Sequence, residues 1–328
     1  MRYRVLGRTG LKVSELGLGG HEYRRFDETK RKSEEKKSSE ELLKTQPQRN
    51  SLIERAIDAG VNYFDTTSVE EAQSLGLALK TLGRRRDVYI TAMILFPFRR
   101  LKETPPARWR EFILEGVEER LSLLQTDHID IFNIHIPENN YLTDRLEITL
   151  KVLEEMKDQG KVGSIGASSH ELRFLAELIR KHDCFNSVMV PYNYHLQEAK
   201  DVLFPLCKAL EIGVVVMKPF AWPYYGISFT HFGSVDLEKC YYTPAQTSLK
   251  WILNSPEVST IVMGINALEE LEENLGAVTK EGEIDDEVLE RHLQTVQSRQ
   301  GKDILKRMLD HPAIDLHYYA RRALASEQ

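Results

Sequence analysis

The stretch VNYFDTTSVEEAQSLGLALK, residues 61–80, delivers a single carboxylate, Asp65, from the end of an aromatic and β-branched run into a polar turn. A carboxyl group in such a place can move a proton at a reacting carbonyl, or it can simply cap the next helix. Glu70 and Glu71 follow closely, either as further acids or as the acidic first turn that a helix macrodipole favours. His135 ends the run HIDIFNIH, where an imidazole serves as a proton carrier or as a buried structural side chain. His21 and Glu22 follow the glycine-rich run ELGLGG. With Asp65, Glu70, Glu71 and His135 they form a set of nitrogen and oxygen donors suited to acid–base work or a divalent cation, but their spacing matches no metal motif and no metal site is expected. Lys218, at the end of VVVMK, is a candidate for a Schiff base, a phosphate contact or, most simply, a salt bridge.

Residues so far apart need a scaffold that makes them converge. From about residue 50 onward, helical segments of period near 3.6 alternate with short β-branched runs: NSLIERAIDAG precedes VNYFDTT, ARWREFILEGVEERLSLLQ precedes HIDIFNIHI, and AKDVLFPLCKALEIG precedes VVVMKPF. Counting the strand in ELGLGG, eight strands emerge, and Gly60, Gly160 and Gly213 stand where helices should stop. Eight βα units imply a single α/β domain over 1–328, a closed (β/α)8 TIM barrel, in which the C-terminal strand ends gather the chemistry. YRVL and KVSEL around GRTG read as an N-terminal hairpin, residues 22–50 as a polar insertion in the first βα loop, and residues 280–328 as a C-terminal helical extension. The later strand ends add Ser168, Ser169, His170, Asn193, His195, Gly264 and Asn266 to the candidates.

Composition narrows the partners. A net charge of −6, from 44 basic and 50 acidic residues, offers no global positive field for nucleic acid or an anionic membrane. Three widely spaced cysteines argue against a disulfide framework, and no window is apolar enough to span a bilayer, so a cytoplasmic protein is expected. Oligomeric state is left open, since the amphipathic C-terminal segment would pack on the barrel or on a second subunit with the same period.

The motifs themselves are similar to those of the aldo-keto reductases. YRVLGRTGLKVSELGLGG, FDTT followed by LGLAL, DHIDIFNIH, GKVGSIGASS and GINALEELEENL all match that family's pattern, together covering residue 1 to about 278. MKPF and ASSH most resemble the branch whose members often carry an iron–sulfur tail, but residues 284–328 contain no cysteine and imply no cluster. The resemblance implies a nicotinamide cofactor, NADP or NAD, and hydride transfer to a small carbonyl or sugar-like substrate. Of the family's catalytic Asp, Tyr, Lys and His, Asp65 and His135 fall on the first and last. The tyrosine position, five residues after the Asp, holds Glu70. The lysine should follow a threonine at the end of the third strand, and here Ala92 follows Thr91.

By the same resemblance, the cofactor-binding residues are Ser168, Ser169, Met217, Lys218, Gly264, Asn266, Glu270, Glu273 and Asn274. No Arg or Lys lies between Gly264 and Asn274 to meet a 2′-phosphate. Three functions are consistent with this: an oxidoreductase with an altered proton donor, Glu70 or His21 being the candidates; a non-redox isomerase or lyase on the same barrel; and a catalytically silent binding protein.

Overall fold

The computed structural model describes residues 1–19, 43–94, 101–136, 143–194, 196–222, 227–228, 241–265 and 267–282. The chain opens on an antiparallel hairpin, β1 (Tyr3–Val5) and β2 (Lys12–Ser14), as its turn-flanked pattern requires. Strands β3 (Leu16–Leu18), β4 (Tyr63–Thr66), β5 (Tyr89–Ile94), β6 (Ile129–His135), β7 (Val162–Ser168), β8 (Phe185–Pro191) and β9 (Gly213–Met217) follow. Two short strands, β10 (Ala221–Trp222) and β11 (Ile227–Ser228), pair with each other, and β12 (Val258–Met263) closes the barrel between β9 and β3. All eight barrel strands are parallel.

Helices α1 (Gln46–Asp58), α2 (Val69–Leu82), α3 (Trp109–Leu124), α4 (Thr143–Asp158) and α5 (Leu172–Lys181) alternate with the strands. They are followed by the short α6 (Glu198–Val202) and α7 (Phe204–Ala209), then α8 (Pro244–Leu253) and α9 (Leu268–Thr279). Outward-facing strand residues such as Phe64, Ile90, Phe132, Ile165, Val188 and Val214 pack with Leu75, Val117, Leu153 and Leu175 of the helices into one apolar shell. That pleat leaves the alternate strand residues inside the barrel.

The hairpin closes the end from which the strands start. Leu6 and Val13 pack with Tyr63, Ile131, Met189, Val215 and Val262 in a second, inner core. Arg4 reinforces the closure by donating to the carbonyls of Leu253, Ser255 and Val258 and by pairing with Glu15. Gly7, at φ +48°, could not carry a side chain here, since a Cβ would lie 2.1 Å from the Gly213 amide nitrogen.

Gly60 and Gly160 end α1 and α4 in the left-handed region, as expected. Gly213 does not. Glu211 takes the left-handed turn at φ 55°, and Gly213 opens β9, where Leu6 Cδ1 would stand 2.6 Å from any Cβ. Helix α1 also starts earlier than its apolar period suggests, at Gln46, so the end of the stretch read as a 22–50 insertion is helical. Residues 20–42, and residues 283–328 of the expected C-terminal extension, lie outside the described residues.

Candidate active site

Asp65 is the inward residue nearest the C-terminal end of β4, since its neighbour Phe64 belongs to the outer shell. It pairs in register with Thr91, and Thr91 with Ile131; the next inward step brings Met93 beside Asn133, and the one after brings His135 beside Ser168. Asp65, His135 and Ser168 therefore share the inner wall at one end of the barrel. Ala92, the residue after Thr91, faces the helices in the outer shell. The inward position beyond Thr91 is held by Met93, so no cation stands there either.

The turn after β4 is built by a capping box. Ser68 Oγ accepts from the Glu71 amide, while Glu71 Oε2 accepts from the amides of Thr67 at 2.6 Å and Ser68 at 3.0 Å. Glu71 is fully buried, whereas Glu70 is half-buried in the first turn of α2 and, among the described residues, makes no hydrogen bond or ion pair. The Thr67 hydroxyl points back at Asp65, with Oγ1 3.4 Å from Oδ2.

Burial first, and then the nearby Glu71 charge, raise the Asp65 carboxyl to a pKa of about 8, with the Thr67 hydroxyl partly offsetting both. Asp65 is therefore mainly a neutral acid at pH 7. The sequence reading overlooked Tyr63, two residues earlier and so on the same inner face. Its OH accepts from Thr91 Oγ1 at 2.6 Å, and full burial, with Asp65 nearby, holds its phenol far above the usual range. It is a core tyrosine. The period of two from Asp65 was the signal that could have found it.

Ser168 is buried on the inner wall. The Ser169 hydroxyl is engaged on both sides, donating to the Ile136 carbonyl and accepting from the Glu171 amide, so it shapes the loop that follows. Met217 ends β9, and Lys218 beyond it has φ +58°, a conformation that a non-glycine residue adopts only at a cost. Asn193 donates to the Lys218 carbonyl and accepts from the Leu196 amide, tying the ends of β8 and β9 together.

Gly264 follows β12; Glu270, Glu273 and Asn274 lie on α9, with Asn274 buried and Glu273 exposed. Ala267 caps α9 without a side-chain acceptor, and Glu269 and Glu270 stand in its first turn. A half-buried Met217 and a buried Ser168 at the strand ends fit the nicotinamide end of the expected nucleotide. His21, His195 and Asn266 lie outside the described residues. Among the described residues no group of three or more His, Cys, Asp or Glu is placed to hold a metal ion, and no helix is long and apolar enough to cross a membrane.

The sequence pattern of the aldo/keto reductase family matches residues 28–225. This chain belongs to that family. It is 23% identical over 340 aligned positions to the uncharacterized oxidoreductase YqkF of Bacillus subtilis, covering 93% of this chain and 99% of the relative. It is also 25% identical to the L-galactose dehydrogenase of Arabidopsis thaliana, over 84% and 88% of the two chains. The holo form of aldo-keto reductase AKR11C1 from Bacillus halodurans superposes with a TM-score of 0.66 at 23% identity, over 90% of this chain and 95% of that one, which shows the fold. The chain is thus an aldo-keto-reductase-like oxidoreductase.

Proposed function

We propose that the protein transfers hydride between a nicotinamide nucleotide and a small carbonyl or alcohol substrate, and that its proton donor is not a tyrosine. The observation that carries this reading is the placing of Asp65, His135 and Ser168 on one inner wall at the C-terminal ends of their strands. When bound, the nucleotide supplies the hydride that reaches the carbonyl carbon. His135 would orient the carbonyl oxygen, Ser168 would hold the carboxamide, and Met217 would cover an apolar ring face. Lys218, Gly264, Asn266, Glu270, Glu273 and Asn274 would hold the remainder of the nucleotide, while Ser169 fixes the loop that presents Ser168. The candidate proton donors are Glu70, in the first turn of α2, and His21.

The charge of the expected adenosine end supports NAD over NADP. The stretch from Gly264 to Asn274 carries four glutamates and no Lys or Arg, so a 2′-phosphate would meet carboxylates there. The free thiols of Cys184 and Cys207 suit a reducing, cytoplasmic setting. Titration with NADH and with NADPH, read by quenching of tryptophan fluorescence, tests the proposal. Saturable binding is expected, and failure of both nucleotides to bind at millimolar concentration would overturn it.

A further inference from the structure

Gly166 stands on the inner wall one step below Ser168, and Asn133, its register partner on β6, stands one step below His135. Their chain neighbours Ile165, Ala167, Phe132 and Ile134 belong to the outer shell, so both positions face the barrel interior. We propose that Gly166 and Asn133 form the floor of the nicotinamide site, the missing side chain of one giving the other a place to lie. The inference rests on the redox reading above and adds two positioning residues to it.

The fit between the two is close. A Cβ on Gly166 would stand 2.0 Å from Asn133 Oδ1 and 3.2 Å from its Cγ, so the Asn133 carboxamide occupies the place of a Gly166 side chain. Gly166 lies within β7, and its φ is outside the left-handed region, so glycine is required here for space rather than for conformation. Asn133 is 2% exposed, and its Oδ1 makes no hydrogen bond among the described residues. A buried amide oxygen normally finds a donor. Here no bond to that oxygen holds the carboxamide down, and its seat depends on the space over Gly166.

A displaced carboxamide has one way to go. Ile131, the inward residue below Asn133, packs with Tyr63, Met189 and Val215 in the inner core that the hairpin closes. Met93 flanks Asn133 in register on β5, and Gly166 flanks it on β7. The remaining direction is upward, toward His135 and Ser168, where the nicotinamide end of the nucleotide would rest. A side chain at position 166 would therefore lift Asn133 into the place of the ring. Ser187 Oγ on β8 would also lie 2.8 Å from a Gly166 Cβ, but a hydroxyl clears that contact by rotation about χ1. The depth of the site is thus set by the Gly166 and Asn133 pair.

A double-mutant cycle, read by NADH and NADPH titration and by thermal unfolding, tests the pair. Gly166→Ala should weaken binding of the preferred nucleotide about tenfold or more and lower the unfolding midpoint, because the added methyl group drives the carboxamide upward. Adding Asn133→Ala removes the conflict. The double variant should bind the nucleotide about as tightly as Asn133→Ala alone and unfold at a higher temperature than Gly166→Ala. Asn133→Gln, one methylene longer in the same seat, should weaken binding severalfold, and it decides the matter if Gly166→Ala fails to fold. Unchanged binding in a folded Gly166→Ala or in Asn133→Gln overturns the proposal, as does a double variant no better than Gly166→Ala. Rescue of stability without rescue of binding confines the pair to packing and leaves the redox reading standing. Failure of the wild type to bind either nucleotide removes both.

Discussion

Glu71 Oε2 holds the Thr67 amide at 2.6 Å, so the residue two places after Asp65 is fixed by the side chain that also places a negative charge beside it. One carboxylate thus shapes the turn and sets the protonation of its neighbour. Glu71→Ala removes the acceptor of two amides and should cost about 1–2 kcal/mol of stability, while Glu71→Gln should cost less than half of that. Urea unfolding of the two variants and the wild type at pH 7 checks the ordering.

The same carboxyl pair fixes the sign of a pH effect on stability. Asp65 has an ordinary carboxyl value of 3.8 when unfolded and about 8 when folded, so between these limits the folded state binds the extra proton. Stability from this group is therefore complete below pH 4 and is lost as pH rises through 8, at up to roughly 1.4 kcal/mol per pH unit within the window. Asp65→Asn, which cannot ionise, should abolish this slope and be more stable than the wild type at pH 8 and above. Parallel urea titrations from pH 5 to 9 decide it, and equal slopes in both proteins would contradict the raised value.

Much of the fold was legible because fully buried parallel strands must be short and β-branched, and because helices that end in glycine mark where each strand begins. The chemistry of the rim was less so. That Asp65 lies in register with Thr91 depends on the alignment of β4 with β5, which a linear reading does not contain. Glu70 and Glu71 look alike in sequence, but Ser68 three residues before Glu71 completes a capping box and separates their roles. Gly213 was misread because a left-handed turn and a close approach by Leu6 both select glycine, and only the structure says which applies.

The glycine in LGLAL has a packing reason. Gly76 of α2 lies so close to α3 that a Cβ would stand 2.2 Å from the Leu123 carbonyl oxygen and 2.7 Å from the Leu124 Cα, both backbone atoms with no rotamer to yield. Gly76→Ala should gain helix propensity yet destabilise by about 1–3 kcal/mol through overpacking. Thermal unfolding of this variant and of Gly83→Ala separates the causes, because nothing lies within 4 Å of a Cβ at Gly83 and only its φ of 67° resists substitution.

Lys218 occupies a left-handed backbone conformation next to the candidate site, which a glycine would adopt without strain. Lys218→Gly should therefore be neutral or stabilising by up to about 1 kcal/mol. If the ammonium contacts the nucleotide, the same variant should weaken nucleotide binding about tenfold, an amount that a surface salt bridge alone would not produce. Opposite movement of unfolding midpoint and dissociation constant is the expected result; a loss of stability with unchanged binding would assign the lysine to structure.

Coenzyme choice tests the far end of the same site. Between Gly264 and Asn274 the chain offers Glu269, Glu270, Glu272 and Glu273 but no cation, and Glu272 is already paired with Arg55 across the α1–α9 contact. The acidic first turns of α9 would meet a 2′-phosphate as like charges, whereas a ribose hydroxyl can donate to a carboxylate. Binding of NADH should therefore exceed that of NADPH by about tenfold or more at low salt, with the gap narrowing as salt screens the repulsion. Glu270→Arg should close or reverse the gap, because it removes one repulsive charge and supplies a fork for the phosphate. A wild-type preference for NADPH would mean that its phosphate lies elsewhere than over the first turns of α9.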